Sequence, residues 1–164
     1  ITSGFIHADT QHLALNMLTL FFFGNLAEQV IGQIVPGNGQ IAFLLFYLLA
    51  MVAADLPSLY KYHRYPNYNS LVASGAVSAV LFTFVLIYPW ENIYLFMILP
   101  VPSILFAVLY IYFSYRLGKR SNDNINHDAH LFGALFGLFV PIIIRPQMAT
   151  VFLNELLKGP QWAF

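Results

Sequence analysis

The chain has 164 residues, of which 59% are hydrophobic and only 9% charged, with seven basic and seven acidic side chains and a formal net charge of zero. Soluble domains carry about 25% charged residues, so this composition, with a mean hydropathy of +0.70, reads as a polytopic membrane protein. The charge balance gives no reason to expect nucleic acid as a partner, and the absence of cysteine excludes disulfides, thiol catalysis and thiolate metal sites.

Five apolar segments are candidate spans, taking roughly 20 residues per crossing. The first, about 11–31, is "QHLALNMLTLFFFGNLAEQVI". His12, Asn16, Asn25 and Glu28 interrupt it, and such groups face protein or water rather than lipid. A Gly/Pro turn, "GQIVPGNGQ", leads to a second span at about 41–57, closed by Asp55 and Pro57. After a Tyr-rich polar loop the third runs from about 71 to 89. Pro89-Trp90-Glu91-Asn92 turns the chain into a fourth, about 93–115, which Pro100 and Pro102 should bend or delay. The loop "RLGKRSNDNINHD" precedes the fifth, about 129–145. A membrane domain over 1–146 and a short interfacial tail over 147–164, with one amphipathic stretch, are the expected organisation. There is no internal repeat.

Three polar constellations sit at membrane depth. His12 and Asn16, four apart, share a helix face that Thr19 extends. They are either a helix–helix hydrogen-bonding pair or a functional site. In "SLVASGAVSAVL", Ser74 and Ser78, like Gly75 and Ala79, are small residues four apart. They are a packing face or, for Ser74, a nucleophile. In "HDAHLFGALFG", His130, Gly133 and Gly137 share one face, so His130 lies on the contact side of a closely packing helix or hydrogen-bonds locally. His127 reads as a loop residue. Asp128, two residues from His130, points away and is a poor candidate to orient the imidazole.

Taken together the three favour chemistry. The first, third and fifth spans run in one direction, so His12, Ser74 and His130, near their starts, share one depth. A serine hydroxyl within about 3 Å of an imidazole is an activated nucleophile. His12 and Asn16 could donate hydrogen bonds to a developing oxyanion.

These motifs resemble the rhomboid intramembrane serine proteases over about residues 3–140. "SGFIHADTQHLALNM" is similar to the family's signature of two histidines and an asparagine, here His7, His12 and Asn16. "FGNLAEQVIG" is similar to its Glu-xxx-Gly helix end, here Glu28 and Gly32. "VASGAV" resembles its G-x-S-G motif, and "AHLFGALFG" its final His helix. The resemblance implies an all-α, six-helix core whose second to sixth helices match the five spans, the first lying before Ile1. It implies a Ser74–His130 dyad without a carboxylate and an oxyanion site of His12, Asn16 and the Ser74 backbone N–H. His7, Gly75, Gly133, Gly137 and Glu28 have supporting roles. It also implies cleavage of transmembrane helices of other proteins, no cofactor, and a bacterial cell membrane as the location. The fourth span would be a lateral gate.

Three departures follow. Val72 replaces the usual first Gly of G-x-S-G. Ser78 stands where some members carry an aromatic that stacks on the histidine, so another ring must orient His130 or none does. The loops 58–70 and 116–128 hold five of the seven basic residues, which by the positive-inside rule makes their side cytoplasmic, opposite to the family's usual orientation. Two alternatives stand beside the protease: a rhomboid-like protein that binds transmembrane helices without cleaving them, favoured by Val72, and a metal- or haem-binding membrane protein using His7, His12, His127 and His130.

Overall fold

The computed structural model describes residues 10–62, 73–119 and 126–160. His7 and Val72 lie outside them. The described chain is a helical bundle with α1 (Thr10–Ile34), α2 (Gly39–Tyr62), α3 (Ala73–Ile87), α4 (Ser103–Gly118), α5 (His127–Ile144) and α6 (Gln147–Lys158), plus one short hairpin, β1 (Asn92–Leu95) and β2 (Leu99–Pro102). Three helices, α1, α2 and α5, are long and apolar enough to cross a membrane.

α3 is the central post. Every residue from Ala73 to Leu86 except Phe84 is buried, and a helix apolar on all sides is one surrounded by protein. α1, α2 and α5 surround it. At 15 residues it rises only about 22 Å, short of the roughly 30 Å hydrocarbon core. On the outside of the bundle, Phe21, Ile41, Leu49, Val108 and Ile143 are exposed, as a lipid-facing surface requires.

Glycine sets how closely α3 and α5 approach. A Cβ added to Gly133 would strike the Gly75 carbonyl oxygen and lie 2.9 Å from the Gly75 Cα, and one on Gly137 would strike the Ala79 carbonyl. The side chain of Gly75 is likewise forbidden, by Ala54 Cβ at 2.5 Å and the Ala129 carbonyl oxygen at 2.9 Å. Gly32 packs on Gly39 across the α1–α2 turn, where an added Cβ would lie 2.9 Å from the Gly39 Cα.

Two sequence expectations change. The fourth span is not a helix from residue 93. Residues 92–102 form an antiparallel hairpin pairing Asn92 with Pro102 and Leu95 with Leu99, and α4 begins only at Ser103. Pro100 and Pro102 lack the N–H a helix would use and disfavour helical backbone at the residues before them, so they delay the start. At the hairpin tip Phe96 and Met97 take positive φ, 51° and 61°. α2, in turn, does not close at Asp55 and Pro57; it continues through Pro57 to Tyr62. Ser58 behind the proline is fully buried and its Oγ donates to Asn126 Oδ1 at 3.0 Å, while Lys61 pairs with Asp128 at 3.3 Å. Tertiary contacts hold the last turn.

Candidate active site

The site is assembled at one end of α1, α3 and α5. Asn126 caps α5, its Oδ1 accepting from the Ala129 N–H at 3.0 Å, and this fixes where the helix starts. His130 then falls in the first turn, on the glycine face that lies against α3. Ser74 is in the first turn of α3, directly across. The Ser74 Oγ and His130 Nε2 are 2.7 Å apart, the distance at which an imidazole can take a hydroxyl proton.

α1 supplies the third wall. The His12 ring stands edge-on to His130 with centroids 6.4 Å apart. Asn16, one turn further, is buried, and its Nδ2 has no acceptor among the described residues. A buried amide N–H normally has a partner, so this unpaired donor can take an acceptor oxygen that enters the cavity. His12, Asn16, Ser74 and His130 all line one cavity of about 580 Å³. Its other walls are largely apolar, with Phe22 and Phe23 of α1, Leu81 of α3, Phe106 of α4 and the hairpin tip at Phe96 and Met97.

Three further residues take places that the spacing did not predict. His127 is not in a loop: it is the first residue of α5, buried, its ring edge-on to His130 at 6.2 Å. Tyr110 of α4 provides the ring that Ser78 cannot, with centroids 6.0 Å from His130 and planes inclined by 36°. Ser78 turns inward, its Oγ donating to the Ser74 carbonyl at 2.7 Å and lying 2.5 Å from the Tyr110 hydroxyl. Asp128 points away, to Lys61, and no carboxylate touches His130 among the described residues. Glu28 is 12 residues beyond Asn16 on α1, roughly 18 Å along the axis, so it stays outside the site. Among the described residues, no group of three or more His, Asp or Glu side chains is placed to hold a metal ion.

The comparisons with known proteins agree with this architecture. The family model described as the Rhomboid domain matches residues 1–147. The mitochondrial RHOMBOID-like protein 12 of Arabidopsis thaliana is 34% identical over 143 residues, covering 82% of this chain and 42% of the relative. The chloroplastic Rhomboid-like protein 11 of the same plant is 33% identical over 146 residues, covering 84% and 49%. The mitochondrial Rhomboid protein 1 of Saccharomyces cerevisiae is 30% identical over 171 residues, covering 99% and 46%. The chain therefore spans under half the length of the curated relatives it matches. No solved structure matches it. The relatives' names are organellar and lend the expected bacterial cell membrane no support. With the family model over most of its length and relatives at this identity, this membrane protein belongs to the rhomboid family.

Proposed function

We propose that the chain is an intramembrane serine endopeptidase that cleaves transmembrane helices of other membrane proteins. The observation that carries the reading is the 2.7 Å contact between Ser74 Oγ and His130 Nε2 at the head of a cavity that opens within an apolar bundle. Ser74 Oγ attacks a peptide carbonyl while His130 accepts its proton. The negative oxygen is held by the Asn16 amide, with the His12 side chain and the Ser74 backbone N–H beside it. His130 then gives its proton to the leaving amine, and water, activated by the same imidazole, hydrolyses the acyl-enzyme. The substrate helix must unwind locally, because its carbonyls are otherwise hydrogen-bonded. Substrates with Gly, Pro or small residues near the membrane edge meet that condition. No carboxylate has a role in this scheme; His127 and Tyr110 pack the imidazole instead.

The reading also assigns 1–146 to the membrane domain and 147–164 to an interfacial tail. The amphipathic α6 is not independent of that domain: its Leu156 carbonyl accepts from Trp90 Nε1 at 3.0 Å, and Met148 packs into the core.

The test is labelling of detergent-purified protein with a fluorophosphonate serine probe. Wild type and Ser78→Ala are expected to label; Ser74→Ala and His130→Ala are not. Absence of labelling in folded wild-type protein would leave a non-proteolytic helix-binding protein as the reading.

A further inference from the structure

The proton count at Ser78 fixes the direction of a short relay. The Ser78 hydroxyl has one hydrogen, and a carbonyl oxygen can only accept, so that hydrogen goes to the Ser74 carbonyl at 2.7 Å. The Tyr110 hydroxyl, 2.5 Å from Ser78 Oγ, must therefore be the donor to it. The relay runs from the Tyr110 O–H to Ser78 and on to the backbone of the candidate nucleophile, and bonds arranged in series polarise one another.

Tyr110 is also held along its ring. Phe82 of α3 lies at 5.3 Å and Phe106 of α4 at 5.5 Å, and His130 is its third ring neighbour at 6.0 Å. These separations fall within the range of favourable aromatic contacts, about 4.5–7 Å. So one side chain of α4 reaches both halves of the dyad: the imidazole by its face, the serine through the relay. The rest of α4 is anchored differently. α3 and α5 are locked backbone to backbone by Gly75, Gly133 and Gly137, whereas Leu105, Val108, Leu109 and Tyr112 of α4 are exposed. Any outward displacement of α4 withdraws the ring and the hydroxyl together.

We infer that Tyr110 is a positioning residue that holds the His130 ring against Ser74 and makes the geometry of the dyad depend on the seat of α4. The inference rests on the serine-protease reading, which makes Ser74 and His130 the reacting groups.

The test uses cleavage of a detergent-solubilised reporter transmembrane helix, together with imidazole nitrogen spectra of protein carrying ¹⁵N-histidine. Tyr110→Phe and Ser78→Ala break the same hydrogen bond. Each is expected to lower kcat roughly 2- to 12-fold, the range one neutral hydrogen bond is worth, with KM unchanged. The double variant should lose no more than the worse single one, because coupled sites do not add. Tyr110→Leu, which removes the ring, should lose roughly 10- to 100-fold, part of what a placed general base contributes. If the leucine variant fails to fold, the two milder variants decide. Each should also shift the His130 resonances. Losses that multiply in the double variant, or unchanged kcat with unmoved His130 resonances, would overturn the inference. Should wild-type protein cleave nothing, the protease reading falls, and the spectra still decide the tie: moved His130 resonances support it and unmoved ones refute it.

Discussion

Asn16 carries a buried amide nitrogen with no acceptor among the described residues. The residue is buried and lines the cavity, and its unpaired Nδ2 is what the proposed oxyanion role would use. Asn16→Ala is expected to lower kcat roughly 100- to 1000-fold, the loss typical of one oxyanion donor, with little change in KM; steady-state kinetics on the reporter helix checks it. Much of this site was legible in the sequence. His12 and Asn16 at four-residue spacing, and His130 with Gly133 and Gly137, declare their faces through helix periodicity alone. Tyr110 and His127 were not legible. Which ring meets His130 depends on how α4 and α5 pack, and periodicity within one helix carries no record of what stands opposite. Ser78 in place of an aromatic was the one available signal that a ring from elsewhere was required.

Among the elements, α3 and α5 form the closely packed pair that carries Ser74 and His130. Their contact is backbone on backbone, so even one methyl group is too much: at Gly133 it would overlap the Gly75 carbonyl. Gly133→Ala is expected to destabilise the fold by about 1–3 kcal/mol, the usual cost of overpacking, and to lower labelling of Ser74 as the helices separate. Thermal unfolding in detergent and probe labelling on the same sample check both. The small-residue stripe announced this contact in advance. The hairpin was hidden because "IYLFMILPVP" is as apolar as a span, and an apolar run does not distinguish a buried strand from a buried helix. The two prolines were the evidence that the helix starts late. The continuation of α2 past Pro57 had no local signal; it depends on Ser58 finding Asn126, 68 residues away in sequence.

For the whole molecule, the bundle is held by packing rather than by ions. The Lys61–Asp128 pair bridges α2 and α5 at 3.3 Å, but its side chains remain 47% and 26% exposed. Lys61→Ala is expected to change unfolding stability by less than about 1 kcal/mol, as for other surface pairs, while Gly133→Ala acts strongly; a denaturant titration of the two variants side by side makes the comparison. The all-α bundle followed from composition and span count, since a chain this apolar must satisfy its backbone within each segment. Its short central post did not, because nothing within "ASGAVSAVLFTFVLI" itself records that three longer helices enclose it. From Ala79 to Leu86 every residue but Phe84 is buried, and this stretch forms an enclosed segment beyond Ser74 and His130. Its polar side chain, Thr83, directs its hydroxyl to the Ala79 carbonyl at 3.0 Å and the Gly137 carbonyl at 3.3 Å, inside the helix pair. For the hydrolysis proposed above, such a segment would let water be drawn from one face of the membrane without opening a path to the other.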